Sequence, residues 1–314
     1  MKIYPGVDAI RPRLDRPLVT LGNFDGVHRG HQFVIHQVLE RSRASGRPAL
    51  LVTFHPHPLK VIRPDNAPPL LQTHEEKLAR IEALGVEHVL VIPFTPAFAE
   101  IPAERFVRET LRDGLGASAV YVGNNFNFGR GRQGNLELLR KMGRELGFEV
   151  PEVRDFLVLG SPVSSSRVRR AVRSGEVELA RELLGRPYAV TGRVVHGDAR
   201  GTSLGFPTAN LETSTELLPA DGVYVTRARV QAEERGAVTN VGSRPTFRGA
   251  TFAIETHFLE PAADLYGLPM ELGFLARLRP EVRFDSVDKL QKQIAEDVER
   301  ARRFLRGPAS GGPG

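Results

Sequence analysis

Two histidines three residues apart, His28 and His31, are the strongest candidates for chemistry in this sequence. They lie in the run GNFDGVHRGH (residues 22–31), between a short apolar segment and a predicted helix. Both imidazoles would sit beside the free N–H groups of a helix N-terminus, where phosphate binds favourably. This arrangement suits the α- and β-phosphates of a nucleotide and would stabilise charge as pyrophosphate leaves the α-phosphorus. The alternatives are a structural histidine pair and a zinc site completed by Asp25.

A second group of polar side chains lies near the middle of the chain. Ser164, Ser165 and Ser166 precede Arg167 at the start of a predicted helix. Hydroxyls at the helix start, with backbone N–H groups and a guanidinium, would grip the β- and γ-phosphates of ATP; the alternative is a plain helix cap. The pattern GxxxxGK[ST] is absent, because no Gly-Lys pair occurs, and the first strand–helix turn lacks GxGxxG. These absences disfavour a P-loop kinase and a hydride-transferring Rossmann enzyme.

Composition narrows the class of protein. Among 314 residues, 43 Lys and Arg oppose 37 Asp and Glu, a net charge of +6, and Cys is absent. Without Cys there is no disulfide, iron–sulfur cluster or thiol nucleophile. The sequence has neither an apolar run long enough to span a membrane nor a signal-peptide core, which predicts a cytoplasmic protein. The basic excess is small and scattered, so nucleic acid is not an expected partner.

The elements that must position these groups divide the chain into two parts. Over residues 1–186, predicted strands alternate with predicted helices. Such alternation indicates βαβ units, a parallel sheet and ligand binding at the carboxyl ends of the strands. We therefore predict a Rossmann-like α/β domain here. Its predicted strands are 18–21, 49–54, 88–93, 119–123 and 149–153, and its predicted helices end near 43, begin near 73, and cover 103–112 and 136–146.

The pattern changes after Gly185-Arg186-Pro187. Short β-type segments separated by turns follow, and the spacing of apolar residues predicts an amphipathic helix from Ser286 to Leu305. We predict a small β-barrel with one packed helix over residues 187–306 and, from its Gly, Pro and Ser content, a disordered tail over 307–314. The predicted strands of this part are 188–196, 222–230, 237–241, 252–259 and 271–278.

The run at residues 22–31 resembles the nucleotidyltransferase motif of bacterial bifunctional riboflavin kinase/FAD synthetases. Matches to other motifs of that family follow in the same order along nearly the whole chain. They are TFHPHP (53–58), GNNFNFG (123–129), SSSRVR (164–169), GFPTAN (205–210), NVGSRPTF (240–247), IETH (254–257) and DLYG (264–267). Ser166 stands where the family usually has Thr, which keeps the hydroxyl. Thr202 stands where Arg or Gly-Lys is common, a departure that affects the expected phosphate contacts.

The resemblance implies a bifunctional enzyme that uses ATP and Mg²⁺, with riboflavin, FMN and FAD as its other ligands. Its barrel would phosphorylate riboflavin to FMN, and its Rossmann-like domain would adenylylate FMN to FAD with release of pyrophosphate. The implied roles are catalysis for His28, His31 and Glu255; nucleotide or phosphate binding for Gly22, Phe24, Asp25, Gly30, Ser164, Ser165, Ser166 and Arg167; flavin binding for Asn125, Phe126, Arg244 and Tyr266; and Mg²⁺ binding for Thr208 and Asn210.

The implied roles agree with the chemistry of these side chains. A carboxylate at Glu255 could accept the proton of the ribityl 5′-hydroxyl. The Thr208 hydroxyl and the Asn210 amide oxygen are hard ligands of the kind that Mg²⁺ prefers between ATP phosphates. Three phenylalanines could form an aromatic surface for a flavin or adenine ring, although core packing explains each of them equally well: Phe24, Phe54 and Phe126.

Two other classes of function remain open from the residues alone. A different nucleotidyltransferase, such as a glycerol-phosphate cytidylyltransferase, would explain residues 18–175 but would leave Glu255 and the PTAN segment without a role. A non-enzymatic regulator that binds a flavin or nucleic acid would explain the basic composition and the β-domain, but not His28 and His31.

Overall fold

A computed structural model of the chain describes residues 1–10, 13–196, 205–231, 233–246, 249–260 and 265–307, with the backbone alone at 243–246 and 249–252. Spatial contacts divide the chain into two compact units, Met1–Ser165 and Ser166–Gly314. The domain boundary expected after residue 186 stays a prediction about independent folding. Thr202 and, apart from Gly307, the tail predicted to be disordered lie outside the described residues.

The first unit is built on a parallel sheet of five strands, which confirms the predicted α/β class. The strand order is β1-β4-β3-β2-β5, and every neighbouring pair is parallel. All four residues of β2 are buried, as expected for a central strand covered on both faces. The strands are β1 (Lys2–Tyr4), β2 (Leu18–Leu21), β3 (Ala49–His55), β4 (His88–Pro93) and β5 (Ala119–Tyr121).

A side-chain cap stabilises the start of the helix that begins at His74. The Thr73 hydroxyl accepts a hydrogen bond from the N–H of Glu76 at 3.2 Å, and the Glu76 carboxylate accepts one from the N–H of Thr73 at 2.8 Å, the reciprocal cap that the sequence predicts. The helices are α1 (Arg29–Ser45), α2 (Pro58–Ile62), α3 (His74–Ala83), α4 (Pro96–Ala99), α5 (Ala103–Arg105), which continues as a π-helix over Phe106–Gly114, and α6 (Leu136–Leu146). A small hairpin follows, formed by β6 (Leu157–Val158) and β7 (Ser161–Pro162).

One strand of the first unit was predicted wrongly, and three short strands were missed: β1 in the sheet, and β6 and β7 in the hairpin. The segment 149–153 is not a strand: Glu149 makes an isolated parallel bridge with Ala119, and Pro151 has no N–H to donate to a ladder. The fifth strand is instead β1, which pairs with β4 at the sheet edge. Three residues are too few for an alternating pattern to be visible in the sequence.

The second unit is a closed antiparallel barrel of six strands preceded by two helices, which confirms the predicted barrel. The strand order is β10-β11-β12-β9-β8-β13, and β13 pairs back onto β10. Helix α8 packs against β8 and β13, and the N–H of Arg277 donates to the Glu178 carboxylate at 3.1 Å. The elements are α7 (Ser165–Arg173), α8 (Val177–Leu184), β8 (Tyr188–Val195), β9 (Ala209–Thr213), β10 (Gly222–Val230), β11 (Glu233–Thr246), β12 (Gly249–Phe258), β13 (Pro269–Arg279) and α9 (Val287–Arg306).

A row of three threonines crosses the buried face of the barrel strands. The hydroxyls of Thr226 and Thr239 lie 2.8 Å apart, and those of Thr239 and Thr256 lie 3.1 Å apart. All three residues are fully buried. Because each hydroxyl has a partner, the row adds no unpaired polar group to the interior. It also ties β10, β11 and β12 together at a defined register.

Helix α9 covers one side of the barrel, as its amphipathic sequence predicts. Its apolar residues Val298 and Ala301 pack into a cluster with valines of β10 and β11. Among these apolar contacts lies a buried ion pair, in which the guanidinium of Arg279 donates to the Asp297 carboxylate at 2.9 Å. The amide of Gln293 donates to the other oxygen of that carboxylate at 3.2 Å.

We predict that Asp297→Ala loosens α9 from the barrel, because it leaves the Arg279 guanidinium without its partner in an apolar setting. Breaking a buried pair costs about 3–5 kcal/mol, so amides of α9 and β13 should exchange with solvent roughly 10²-fold faster or more. Hydrogen–deuterium exchange on the full chain measures this. Asp285→Ala, which removes an exposed pair with Lys289, is the matched control; equal effects of the two variants would contradict the prediction.

Candidate active sites

The loop after β2 has an unusual backbone conformation. Phe24 and Val27 have positive φ angles of 51° and 40°, and Gly26 lies between them at 85°. Non-glycine residues hold such angles only where the surrounding structure stabilises them, and they cluster at functional sites. Phe24 and Val27 are both buried. The loop thus leaves the carboxyl end of β2 in a conformation that is fixed by packing and leads directly into His28.

The two histidines lie together at the start of α1, as the sequence predicts. The Nδ1 atom of His28 accepts a hydrogen bond from the N–H of His31 at 3.3 Å, which caps the helix. The two imidazole rings stack with centroids 3.6 Å apart and planes 15° from parallel. A Cβ atom at Gly30 would stand 3.2 Å from the His28 ring. Glycine at this position therefore lets the His28 ring lie close to the backbone of the first helical turn.

The environment of the pair favours the neutral form of His31. Burial lowers the pKa of His31 well below its ordinary value, and the nearby His28 and Lys77 lower it further. The hydrogen bond accepted by Nδ1 of His28 assigns the proton of a neutral His28 ring to Nε2. His31 can therefore offer an N–H donor, rather than a full positive charge, to an oxygen that gains negative charge.

The other predicted residues of the first loop hold the loop in place. The Asp25 carboxylate accepts a hydrogen bond from the N–H of Leu71 at 3.0 Å and is buried. A Cβ atom at Gly22 would stand 3.2 Å from the Phe24 ring, which packs edge-on against His31. These contacts are structural, so the nucleotide-binding roles of Gly22, Phe24, Asp25 and Gly30 stay predictions.

One residue of the serine motif (164–166) makes a hydrogen bond to the loop that follows β2. The Ser165 hydroxyl donates to the backbone oxygen of Asp25 at 2.9 Å, across 140 residues of sequence. Ser164 is exposed. Ser166 and Arg167 belong to the second compact unit, where Ser166 is exposed and Arg167 is half-buried on α7. Phosphate binding by these four residues stays a prediction.

Phenylalanines form a continuous cluster beside the carboxyl ends of β3, β4 and β5. Phe54 lies in it, and Phe126 stacks on Phe128 with centroids 5.4 Å apart. Phe24 lies in a different apolar cluster, so the three phenylalanines do not share the single aromatic surface that the sequence suggested. Asn125 is exposed at the edge of the loop. The cluster contains Phe54, Phe94, Phe98, Phe106, Phe126 and Phe128, each with its ring centroid within 6.1 Å of a neighbour.

Strand register in the second unit brings two predicted residues side by side. Glu255 on β12 is the direct cross-strand partner of Asn210 on β9 and of Asn240 on β11, so their side chains share one face with Cβ atoms about 5 Å apart. The neighbours of Glu255, Ile254 and Thr256, are buried, whereas Glu255 is half-buried. A carboxylate thus lies between two amide side chains on the outer face of the barrel.

The donor types at this row suit a hard cation. Amide, hydroxyl and carboxylate oxygens are the ligands that Mg²⁺ prefers, and Mg²⁺ sites commonly use one or two protein oxygens together with phosphates and water. Asn210 and Glu255 are adjacent on the sheet, and Thr208 precedes Asn210 by two residues. The residues present therefore fit Mg²⁺. Over the described residues, no three His, Asp or Glu side chains form a metal-binding group.

The segment before Thr208 is held by a histidine that the sequence analysis did not single out. A hydrogen bond of 3.0 Å joins Nδ1 of His257 to the backbone oxygen of Pro207. The His257 ring also packs edge-on against Phe206, with centroids 5.4 Å apart. His257 lies two residues after Glu255 on the same face of β12, so one strand positions both the carboxylate and the turn that carries Thr208.

The two remaining predicted flavin residues lie elsewhere on the barrel. Tyr266 is exposed, and its ring stacks on His196 with centroids 3.6 Å apart. The side chain of Arg244 lies outside the described residues; its backbone is part of β11 and pairs with Thr251. Flavin binding by both residues stays a prediction.

Comparisons with known proteins identify both units. A family model described as FAD synthetase matches residues 11–167, and one described as riboflavin kinase matches residues 184–305. A solved structure from Streptococcus pneumoniae, titled a macrolide-efflux protein, is 30% identical, covers 96% of this chain and 98% of its own, and superposes with a TM-score of 0.86.

Within the described residues, no helix has the length and apolar character needed to cross a membrane.

Three curated relatives carry the name bifunctional riboflavin kinase/FMN adenylyltransferase. The protein of Escherichia coli K12 is 39% identical over 92% of this chain and 92% of its own length. That of Pseudomonas fluorescens is 37% identical over 96% and 97%, and that of Haemophilus influenzae 34% over 97% and 99%. Since the resemblance extends over both units at this level of identity, the chain belongs to the bifunctional riboflavin kinase/FMN adenylyltransferase family.

Proposed function

We propose that this chain converts riboflavin to FMN in its barrel and FMN to FAD in its Rossmann-like domain, with ATP as the second substrate of each step. The observation that carries the proposal is the match of two separate family models, FAD synthetase over residues 11–167 and riboflavin kinase over residues 184–305. The direct test incubates the protein with riboflavin, ATP and Mg²⁺ and separates FMN and FAD by chromatography.

In adenylyl transfer, a phosphate oxygen of FMN attacks the α-phosphorus of ATP, and the bond from that phosphorus to the bridging oxygen breaks to release pyrophosphate. The Nε2–H of His28 and the ring of His31 face the charge that develops on the departing oxygens, beside the N–H groups of α1. Because burial keeps His31 neutral, its imidazole acts by hydrogen bonding. Ser164, Ser165, Ser166 and Arg167 would hold the β- and γ-phosphates.

In phosphoryl transfer, Glu255 accepts the proton of the ribityl 5′-hydroxyl as the hydroxyl oxygen attacks the γ-phosphorus and ADP leaves. Asn210, directly opposite Glu255, and Thr208 would hold Mg²⁺, which neutralises charge on the ATP phosphates when it is bound. His257 keeps the turn before Thr208 in place. Positioning and electrostatics are sufficient for this step, and no covalent enzyme intermediate is needed.

Two aromatic surfaces are the proposed flavin sites. In the first unit, the phenylalanine cluster with Phe126 and the neighbouring Asn125 would bind FMN, because a flavin ring stacks well on aromatic side chains. In the barrel, Tyr266, with its ring stacked on His196, and Arg244 would bind riboflavin. We also propose a cytoplasmic enzyme without a nucleic-acid partner, supported by the absence of Cys and by the small, scattered positive charge.

The histidine pair generates the first prediction. His28→Ala or His31→Ala should slow formation of FAD from FMN by roughly 10²–10³-fold, because each removes a transition-state hydrogen-bond donor. Formation of FMN from riboflavin should remain near its original rate in the same preparations. His36→Ala, an exposed histidine on the same helix, is the control. An unchanged FAD rate in both variants would remove the pair from the mechanism.

The second prediction concerns the barrel. Glu255→Gln keeps the shape of the side chain but not its basicity, so FMN formation should fall by roughly 10²–10⁴-fold, while supplied FMN is still converted to FAD. Thr208→Ala should raise the Mg²⁺ and ATP concentrations needed in the kinase step alone. Glu212→Gln, an exposed glutamate on β9, is the control. Equal slowing of both reactions by Glu255→Gln would indicate misfolding or a shared site instead.

The third prediction concerns the domain boundary, which we propose lies between residues 186 and 187. A fragment 187–306 should unfold cooperatively and phosphorylate riboflavin, because the barrel and α9 form their own core. A fragment 166–306 should be more stable to urea, since it keeps α8 and the hydrogen bond from Arg277 to Glu178. A folded 187–306 fragment without kinase activity would show that Thr208, Asn210 and Glu255 are not sufficient.

A further inference from the structure

A buried lysine that none of the sequence motifs includes lies under the first loop. The Lys77 ammonium contacts the backbone oxygen of Asn23 at 3.4 Å, the Thr53 hydroxyl at 3.1 Å and the backbone oxygen of Phe54 at 3.3 Å. An ammonium has three N–H donors, so three oxygens match its capacity. Lys77 therefore joins the carboxyl ends of β2 and β3, the edge at which a parallel sheet binds its ligand.

Lys77 is part of a short segment that grips three consecutive residues of the loop. Lys77 binds the oxygen of Asn23, the amide of Gln72 donates to the oxygen of Phe24 at 3.3 Å, and the N–H of Leu71 donates to the Asp25 carboxylate at 3.0 Å. The hydrogen bonds to the oxygens of Asn23 and Phe24 hold the two peptide groups on either side of Phe24, the residue with positive φ. The segment from residue 71 to residue 77 thus holds three consecutive residues of the loop that leads into His28.

The charge of Lys77 also changes the pKa of nearby histidines. Burial lowers the pKa of Lys77 to about 8, and the Asp25 carboxylate opposes that shift. Lys77 in turn lowers the pKa of His31 on α1 and of His74 on its own helix. His55, at the end of β3, lies against His74 with ring centroids 4.1 Å apart. With a pKa of about 8, Lys77 carries its positive charge near neutral pH.

We propose that Lys77 is a positioning residue for adenylyl transfer. Its ammonium fixes Asn23 and the end of β3, and thereby places the His28–His31 pair, while its charge helps to keep His31 neutral. When Lys77 loses its proton, one of its three hydrogen bonds is lost with it, and the loop is held less firmly. The inference rests on the proposed adenylyl transfer at this loop and goes beyond it by assigning the residue that sets the alkaline limit of the reaction.

Rate and stability should then respond to alkaline pH in opposite directions. The pKa of Lys77 is about 8 in the folded chain, against an ordinary value of 10.5. Between these values the unfolded chain holds more protons than the folded chain, so this group makes the folded state more stable as pH rises. The FAD-forming rate should fall over the same interval. Alkaline loss of activity through Lys77 is therefore distinguishable from unfolding.

The test measures FAD formation from FMN and FMN formation from riboflavin between pH 6 and 10, on the same full-length protein. In the wild-type protein, the adenylyl-transfer rate should fall above about pH 8, whereas the kinase rate should not fall in step with it. A phosphate monoester has its second pKa near 6, so the phosphate of FMN is already doubly ionised at the pH where the decline is expected to begin. Wild-type protein that forms no FAD at any pH would contradict the proposed function rather than the role of Lys77.

Lys77→Met keeps the length of the aliphatic part of the side chain and removes the charge and the donors. Its kcat for adenylyl transfer should fall about 10²-fold, the effect expected of a misplaced catalytic group, and the alkaline decline should disappear. The NMR titration of the His31 ring should move to higher pH. Lys141→Met, an exposed lysine on α6, should leave rate and profile unchanged.

Two results would overturn the proposal. One is a wild-type rate that stays level through pH 10, which needs no variant and so does not depend on Lys77→Met being folded. The other is a slower Lys77→Met enzyme that retains the wild-type decline above pH 8, because a merely structural lysine would change the rate without changing the pH profile.

Discussion

The left-handed backbone at Phe24 and Val27 is the constraint on which the first unit depends. Each residue in that region costs roughly 1–3 kcal/mol unless its surroundings determine it. Here the surroundings are the buried Phe24 ring, packed beside Gly22 and against His31, and the hydrogen bonds from the segment 71–77. The direction in which the loop leaves β2 decides where α1 begins, and the first turn of α1 carries both histidines. The geometry of the histidine pair is thus a consequence of backbone conformation one to four residues before His28.

In the barrel, the register of strand pairing determines the position of the site residues, as the loop backbone does in the first unit. A shift of one residue in the pairing of β12 would send Glu255 to the interior and bring Ile254 and Thr256 to the outer face. The buried hydroxyl row through Thr226, Thr239 and Thr256 opposes such a shift, because the shift would break the hydrogen bond between Thr239 and Thr256 in the core. The interior of the barrel therefore specifies which face carries the carboxylate and the amides. Stability and site geometry depend on the same strand pairing.

Local signals made much of this structure predictable. The cap at Thr73, the helix end at Gly147 and the amphipathic helix after Ser286 are each encoded within a few residues, and the structure contains them. The change from βαβ alternation to short strands identified two kinds of domain. The short strands β1, β6, β7 and β9 were missed, because so few residues show no periodicity.

Residues that act through distant contacts were beyond the sequence. Lys77 meets Asn23 across 54 residues, and His257 meets Pro207 across 50. From sequence alone, a lysine in a helix is expected to be exposed to solvent. No residue next to Lys77 in the sequence indicates that the fold buries it. The same limit applies to Phe24, since the face of the sheet that a phenylalanine joins depends on the path of the loop.

The closing strand of the barrel has a consequence for how the protein is made. Because β13 pairs with both β8 and β10, the barrel cannot form a complete ring until Arg279 has left the ribosome. The parallel sheet, by contrast, has all its strands once Tyr121 has emerged. Since domains generally fold as units from the N-terminus during synthesis, the α/β unit is expected to be structured while the barrel strands still have open edges. The nascent chain therefore meets its greatest risk of aberrant strand pairing late in translation.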